Sequence, residues 1–190
     1  MVDKAKIEKA TRLLLEGMGE DPDREGLEAT PRRVAELYEE IIAAEPEELS
    51  SIVAPIGSDT HQEMVLVRDI SFYSLCEHHL VPFFGMAHVA YIPSKNGHIA
   101  GVSKIVRLVR AAAGRLQLQE RLTSTIADTL VKSLNPEGVL VLIQAEHLCM
   151  SMRGVKAPGA RVVTSAVRGI CLSNPATRAE VLALIEAPGA

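Results

Sequence analysis

Apolar positions Ile7, Ala10, Leu13, Leu14 and Met18 recur at helical spacing, so residues 3–18 are expected to form an amphipathic helix. A charged turn over residues 19–26 interrupts the pattern. Thr30-Pro31 then has the chemistry of a helix start, a hydroxyl to cap and a proline suited to the first helical position. Val34, Leu37, Tyr38, Ile41 and Ile42 form the expected buried stripe of this second helix, which acidic residues and Pro46 close near residue 48. Residues 48–62 read as loop, with Pro55, Gly57 and an Asp59-Thr60-His61 turn.

From Met64 the period shortens. Residues 64–67, 71–75 and 86–92 read as strands, the last ending at Pro93 and a Lys95-Asn96-Gly97 turn. Ser103 is placed to cap a helix carrying Ile105, Val106, Leu108 and Val109 that fades at Gly114. A further helix is expected from Gln119 to Leu134, before Asn135-Pro136. Residues 139–148 and 161–167 are apolar or Val/Thr-rich strands, and Asn174-Pro175 starts a last helix reaching Ile185. Helix-helix, strands, helix-helix, strands, helix is not the regular alternation of a doubly wound sheet, so the expected class is α+β with an antiparallel sheet. The expected division is a helical arm over residues 1–55 and a main domain over 56–190.

Composition narrows the partners. Hydrophobic residues make up 47% and charged residues 23% of 190, which suits one folded domain with an appended arm. A formal charge of −4, three Tyr, three Phe and no Trp give neither a global attraction for nucleic acid or membrane nor a surface for stacking bases. No apolar run approaches a membrane span, and the Met1-Val2-Asp3-Lys4 start is unlike a secretory signal. Three cysteines are too few for a disulfide scaffold, so a reducing, cytoplasmic setting with metal or catalytic use is expected.

Two clusters hold most of that chemistry. Leu75-Cys76-Glu77-His78-His79-Leu80 sets Cys76 and His79 three apart, a spacing that reaches one metal if a turn follows the strand. In Glu146-His147-Leu148-Cys149 the two donors are two apart at a strand end and so share a face. Four donors make a closed structural zinc site, whereas three leave a position open for catalysis and free an imidazole for proton transfer. Buried cysteines and hydrogen-bonded histidines without metal remain the plain alternative. Around Ser103, Lys104 and Arg107, cations stand in the first turns of a helix, a pattern that makes sense beside an anion although a solvated basic face is the simpler account. Arg153 is a further cation near Cys149, and Arg33 a weaker one. Glu120, at a helix start, can accept two hydrogen bonds from a guanine edge, or can simply favour the helix dipole. His61, His88, His98 and Cys171 read as structural.

Taken together, Cys76-Glu77-His78-His79, Gly101-Val102-Ser103-Lys104-Ile105-Val106-Arg107, Gln117-Leu118-Gln119-Glu120-Arg121-Leu122, and His147-Leu148-Cys149 with Met152-Arg153-Gly154 resemble the GTP cyclohydrolase I family. Thr30-Pro31-Arg32-Arg33 and Val67-Arg68-Asp69-Ile70 match as well, and the likeness runs from about residue 5 to residue 186 in the family's order. The resemblance implies one zinc ion per subunit on Cys76, His79 and Cys149, with His147 and His78 left for proton transfer. It implies Lys104, Arg107 and Arg153 at a triphosphate, Arg33 reaching in from a neighbouring subunit, Glu120 with Gln119 at the guanine edge, and Ser103 near the ribose. The implied reaction opens GTP at carbon 8, releases formate and recloses the ribose carbons as 7,8-dihydroneopterin triphosphate, the first step toward tetrahydrofolate and pterins. The implied fold is the tunnelling fold, an antiparallel sheet backed by helices, whose copies close into a barrel as a decamer of two pentameric rings. Met86 and Val102 depart from the expected Lys and Leu, away from the proposed chemistry. A zinc domain that binds a nucleotide or RNA without turnover, and a zinc-free relative of the same fold, are the rivals. The charge and the two ligand-like clusters weigh against them. A zinc nucleobase deaminase lacks support because its His-x-Glu and Pro-Cys-x-x-Cys pair is missing.

Overall fold

The computed structural model describes residues 2–42, 49–57, 61–95 and 98–187. The expected helix close at Pro46, most of the Asp59-Thr60-His61 turn and the Asn96-Gly97 turn lie outside the described residues. The chain divides into two compact units, Met1–Pro46 and Glu47–Ala190.

In the first unit, α1 (Lys4–Gly17) begins where the Asp3 carboxylate accepts from the Lys6 backbone N–H. The second helix, α2 (Thr30–Ile41), differs from expectation at its start. Ala29 is the cap residue, no side chain caps the helix, and Thr30 is already helical. The buried positions are Thr11 and Leu15 of α1 with Pro31 and Ala35 of α2, while Leu13, Leu14, Met18 and Leu37 stay exposed. Two helices bury only the seam between them, so the wider apolar stripe read from the sequence is not covered within this unit.

The second unit contains α3 (Leu49–Ile52), β1 (Pro55–Gly57), β2 (Val65–Cys76), β3 (Pro82–Ile92), β4 (His98–Ala100), α4 (Val102–Ala113), β5 (Leu116–Gln117), α5 (Gln119–Leu134), β6 (Gly138–His147), α6 (Leu148–Ser151), β7 (Val162–Gly169), α7 (Ile170–Ser173) and α8 (Pro175–Glu186). A five-stranded sheet has the order β5-β2-β3-β6-β7, and β1 pairs with β4 separately. All neighbours in the larger sheet are antiparallel except the short parallel β5–β2 pair, so the class is α+β with a mixed sheet. The main core lies between one face of the sheet and helices α4 and α5, with Phe72, Phe83, Val89, Val141 and Ile143 against Ile105, Leu108, Leu122, Ile126 and Leu130. Ala90 and Leu140, of opposite parity along their strands, join Cys171 and Val181 in a smaller cluster, so α7 and α8 cover part of the second face.

Three local departures have physical causes. The strands expected at 64–67 and 71–75 are one strand, β2, carried through a register shift between Val67 and Ile70 where Asp69 is left-handed (φ 60°). Arg68 in that bulge donates to the Leu184 and Ala187 carbonyls at the end of α8. Gly101, not Ser103, caps α4, and Ser103 makes no capping bond. Asn174 does cap α8, its side chain accepting from Ala176 and Thr177 N–H.

Gly85 faces Ala145 across β3–β6, and a Cβ there would fall 2.7 Å from the Ala145 Cα and inside the Gln144 carbonyl oxygen. Gly85→Ala is expected to cost about 1–3 kcal/mol, read as a thermal midpoint lower by several degrees. His88 is buried on β3, its Nδ1 accepting from the Asp69 N–H at 3.2 Å beside the Asp69 carboxylate and Arg68. Burial holds its pKa below the ordinary 6.5, with Asp69 opposing and Arg68 assisting. The unfolded chain therefore binds the extra proton first, and stability drops as pH falls below about 6.5 toward the folded value. Urea midpoints at pH 7.5 and 5.5 should fall less in His88→Gln than in the parent.

Candidate functional site

The site is built where β2 ends, β6 ends and α5 begins. Leu75 of β2 pairs with Pro82, the first residue of β3, a position where a strand tolerates proline. Between them Glu77–Val81 form a tight loop closed by Cys76 N–H to Val81 O (2.9 Å) and Leu80 N–H to Cys76 O (2.8 Å). Leu80 is left-handed at φ 56°, a conformation a branched residue keeps only where its surroundings enforce it. The loop leaves Cys76 buried and His78 and His79 exposed.

Phe83 of β3 pairs with His147, the last residue of β6, and stacks on its imidazole at 4.6 Å and 6°. Cys149 does not continue the strand, as the two-residue spacing suggested. It sits in the single turn of α6, where Ser151 Oγ donates back to the His147 carbonyl. The result brings Cys76, His147 and Cys149 together, with one potential ligand atom from each within 4.8 Å of the others. Both thiols are free. Burial pushes the Cys149 thiol above its usual range, and the neighbouring Cys76 raises it further, because two adjacent thiolates repel. A divalent cation removes that repulsion, and two sulfurs with an imidazole are a donor set that suits zinc.

The expected third ligand was His79. The structure instead puts His147 in the close group, and His79 Nε2 accepts from the Arg153 guanidinium at 3.1 Å. Both histidines line one cavity of about 400 Å³, together with His78, Gln119, Glu120, Cys149 and Arg153. Burial lowers the His147 pKa, with the Glu120 carboxylate pulling the other way. Glu120 is in the exposed first turn of α5, where the helix dipole favours its charge.

Other expected residues are not gathered here. Ser103, Lys104 and Arg107 lie on α4 and do not line this cavity, Ser103 and Arg107 being exposed and Lys104 half-buried. Arg33 is exposed on α2 in the first unit. Gln119, expected beside a guanine, is 1% exposed, and its amide is occupied on both ends by His147, Thr164 and two backbone carbonyls.

Sequence spacing missed two supports. Phe83 is found only through the β3–β6 register. Arg121 holds the metal-side loop by ion-pairing with Glu77 while its Nε donates to Gln117 Oε1 at 3.0 Å. Glu77 thus braces the loop and is not in the close donor group.

A family model described as GTP cyclohydrolase I matches residues 7–186. A GTP cyclohydrolase 1 of Carboxydothermus hydrogenoformans is 60% identical over 185 residues, covering 97% of this chain and 96% of that protein. Those of Desulforamulus reducens and Pelotomaculum thermopropionicum are 58% and 59% identical, each over 98% of their own length. A solved archaeosine synthase QueF-Like overlaps at 20% identity with a TM-score of 0.46 across 56% of this chain, too partial to bear on the fold. With a match that spans both ligand-like clusters and nearly the whole chain, this protein belongs to the GTP cyclohydrolase I family.

Proposed function

We propose that the chain hydrolyses and rearranges GTP to 7,8-dihydroneopterin triphosphate and formate with one zinc ion per subunit. The observation that carries this reading is the meeting of Cys76, Cys149 and an imidazole on a cavity whose wall also holds Glu120 and Arg153. In this reading zinc is held by Cys76, Cys149 and His79. His79 is taken as the third ligand because the family resemblance implies it, and the Gln119 bond and the Phe83 stack hold the His147 ring at the cavity wall. His79 would exchange its Arg153 partner for the metal. Bound there, zinc supplies the Lewis acidity that makes water nucleophilic near neutral pH.

The chain's own groups do the rest. Glu120 accepts from the ring N–H and exocyclic amine of guanine. Arg153, released from His79, faces the phosphates. His147 and His78 take and return protons as the imidazole ring of guanine opens, formate leaves and the ribose carbons reclose. The triphosphate is a handle and is not cleaved, and its binding positions the base. Lys104, Arg107, Ser103 and Arg33 belong to this reading as residues brought by neighbouring copies in a decamer of two pentameric rings. For Ser103, Lys104 and Arg107 the reading requires this, since none of them lines the cavity of one chain. No helix among the described residues is long and apolar enough to cross a membrane.

Zinc-loaded protein given GTP should release formate and yield a product that fluoresces as a pterin after oxidation. Tight GTP binding with no formate over hours would sink the reading. Metal analysis separates the two imidazoles. His79→Ala is expected to lose stoichiometric zinc, whereas His147→Ala keeps it and loses turnover by about 100-fold or more. The reverse pattern would make Cys76, His147 and Cys149 the metal centre.

A further inference from the structure

We infer that Gln119 is a positioning residue for His147, fixing the imidazole as its Nε2–H tautomer and leaving Nδ1 as the ring's basic atom. The hydrogen-bond directions follow from partners that can only accept. Gln119 Nε2 lies 3.1 Å from the Ile143 carbonyl, 3.0 Å from the Val162 carbonyl and 3.1 Å from Thr164 Oγ1. Backbone carbonyls cannot donate, so this end of the side chain must be the NH2 group, its two hydrogens shared among three acceptors. The other end is therefore the carbonyl oxygen. It lies 2.7 Å from His147 Nε2, and an oxygen with no hydrogen requires the proton on the ring nitrogen.

The threonines close the arrangement. Thr123 Oγ1 donates to the Gln119 backbone carbonyl at 2.7 Å and so must accept from Thr164 Oγ1, 2.6 Å away. Thr164 has then spent its one hydrogen and is free to accept from the Gln119 amide. Every direction in the ring Gln119, Thr164, Thr123 and back to Gln119 is consistent with the amide orientation. Gln119 and Thr123 are each 1% exposed, so rotating the amide would leave buried groups unpaired. Phe83 fixes the plane of the imidazole by stacking. Tautomer and ring plane are thus set by two residues, Gln119 through a hydrogen bond and Phe83 through packing.

This assigns to Gln119 a role different from a guanine contact. A side chain whose carbonyl and amide are both engaged inside the protein has nothing left for the base. Proton exchange between His147 and the substrate then takes place at Nδ1. That last step rests on the cyclohydrolase reading above, while the tautomer does not.

The test separates the two. In zinc-loaded, ¹⁵N-histidine-labelled protein sedimented for solid-state NMR, His147 is assigned by the signals lost in His147→Asn. Its Nε2 should resonate as a protonated, pyrrole-type nitrogen in the parent. Gln119→Met, close in volume but unable to accept or donate, should give a mixture of tautomers, with a thermal midpoint lower by several degrees because two buried carbonyls lose their donor. It should also lower kcat for formate release about 10- to 100-fold, with KM for GTP within about twofold. An Nδ1–H tautomer in the parent overturns the inference without any variant. A Gln119→Met protein with raised KM and parental kcat overturns it in favour of a substrate contact. If the parent releases no formate, the reading of the reaction fails, and the ring nitrogens still decide the tautomer.

Discussion

Everything at the site depends on the register of three adjacent antiparallel strands. Phe83 is paired on one side with Ser74 of β2 and on the other with His147 of β6, so a single position on β3 sets the distance between the two donor clusters. Side chains alternate across a strand, and a slip of one residue at either pairing would send His147 or Cys76 to the opposite face. Gly85, two residues on, lets β3 approach β6 closely enough for that register to hold. The chemistry of residues about seventy apart in sequence is therefore controlled by backbone hydrogen bonds and one missing side chain.

The polar residues near this junction are held from several directions. Ser74 Oγ donates to the Ala113 carbonyl, Gln117 Nε2 to the Ala112 carbonyl, and Gln119 to strands β6 and β7. Among the described residues no fully buried side-chain nitrogen or oxygen lacks a partner. Each of these bonds is worth little net, yet each would be costly to leave half-made, which narrows the arrangements open to α4, β5 and α5. The thiol pair is the exception to this internal balance. Burial and the neighbouring Cys76 hold the Cys149 thiol above its usual range, a cost that a cation between the sulfurs would relieve.

Much of the architecture was legible in the sequence. Periodicity gave α1, α5, β6 and α8 close to their observed limits, and in α5 and β6 most of the apolar residues meet the core of their own unit. It failed for the stripe of Leu13, Leu14, Met18 and Leu37, where apolarity exceeds what two helices can cover. It split β2 because Arg68 and Asp69 look like a break, whereas a bulge absorbs them within one strand. Both caps read from hydroxyls, Thr30 and Ser103, were displaced by one or two residues, since Ala29 and Gly101 can take the flanking conformation without a side-chain bond. At the site, residue types pointed to a metal-capable group of donors, which Cys76, His147 and Cys149 form in the structure. Spacing could not show that a turn of helix redirects Cys149, or that Gln119 is turned inward. Those facts belong to the pairing of distant strands.

One contact described above has a wider consequence. Glu77 stands next to Cys76 on the loop that carries the first thiol, and Arg121 stands next to Glu120 at the start of α5. Their ion pair, with the Gln117 amide behind it, ties the loop after β2 to the start of α5. Free energy shared between two sites acts in both directions. Whatever steadies the loop also steadies the helix start, so the backbone that carries Cys76 and the backbone that carries Glu120 keep their places together.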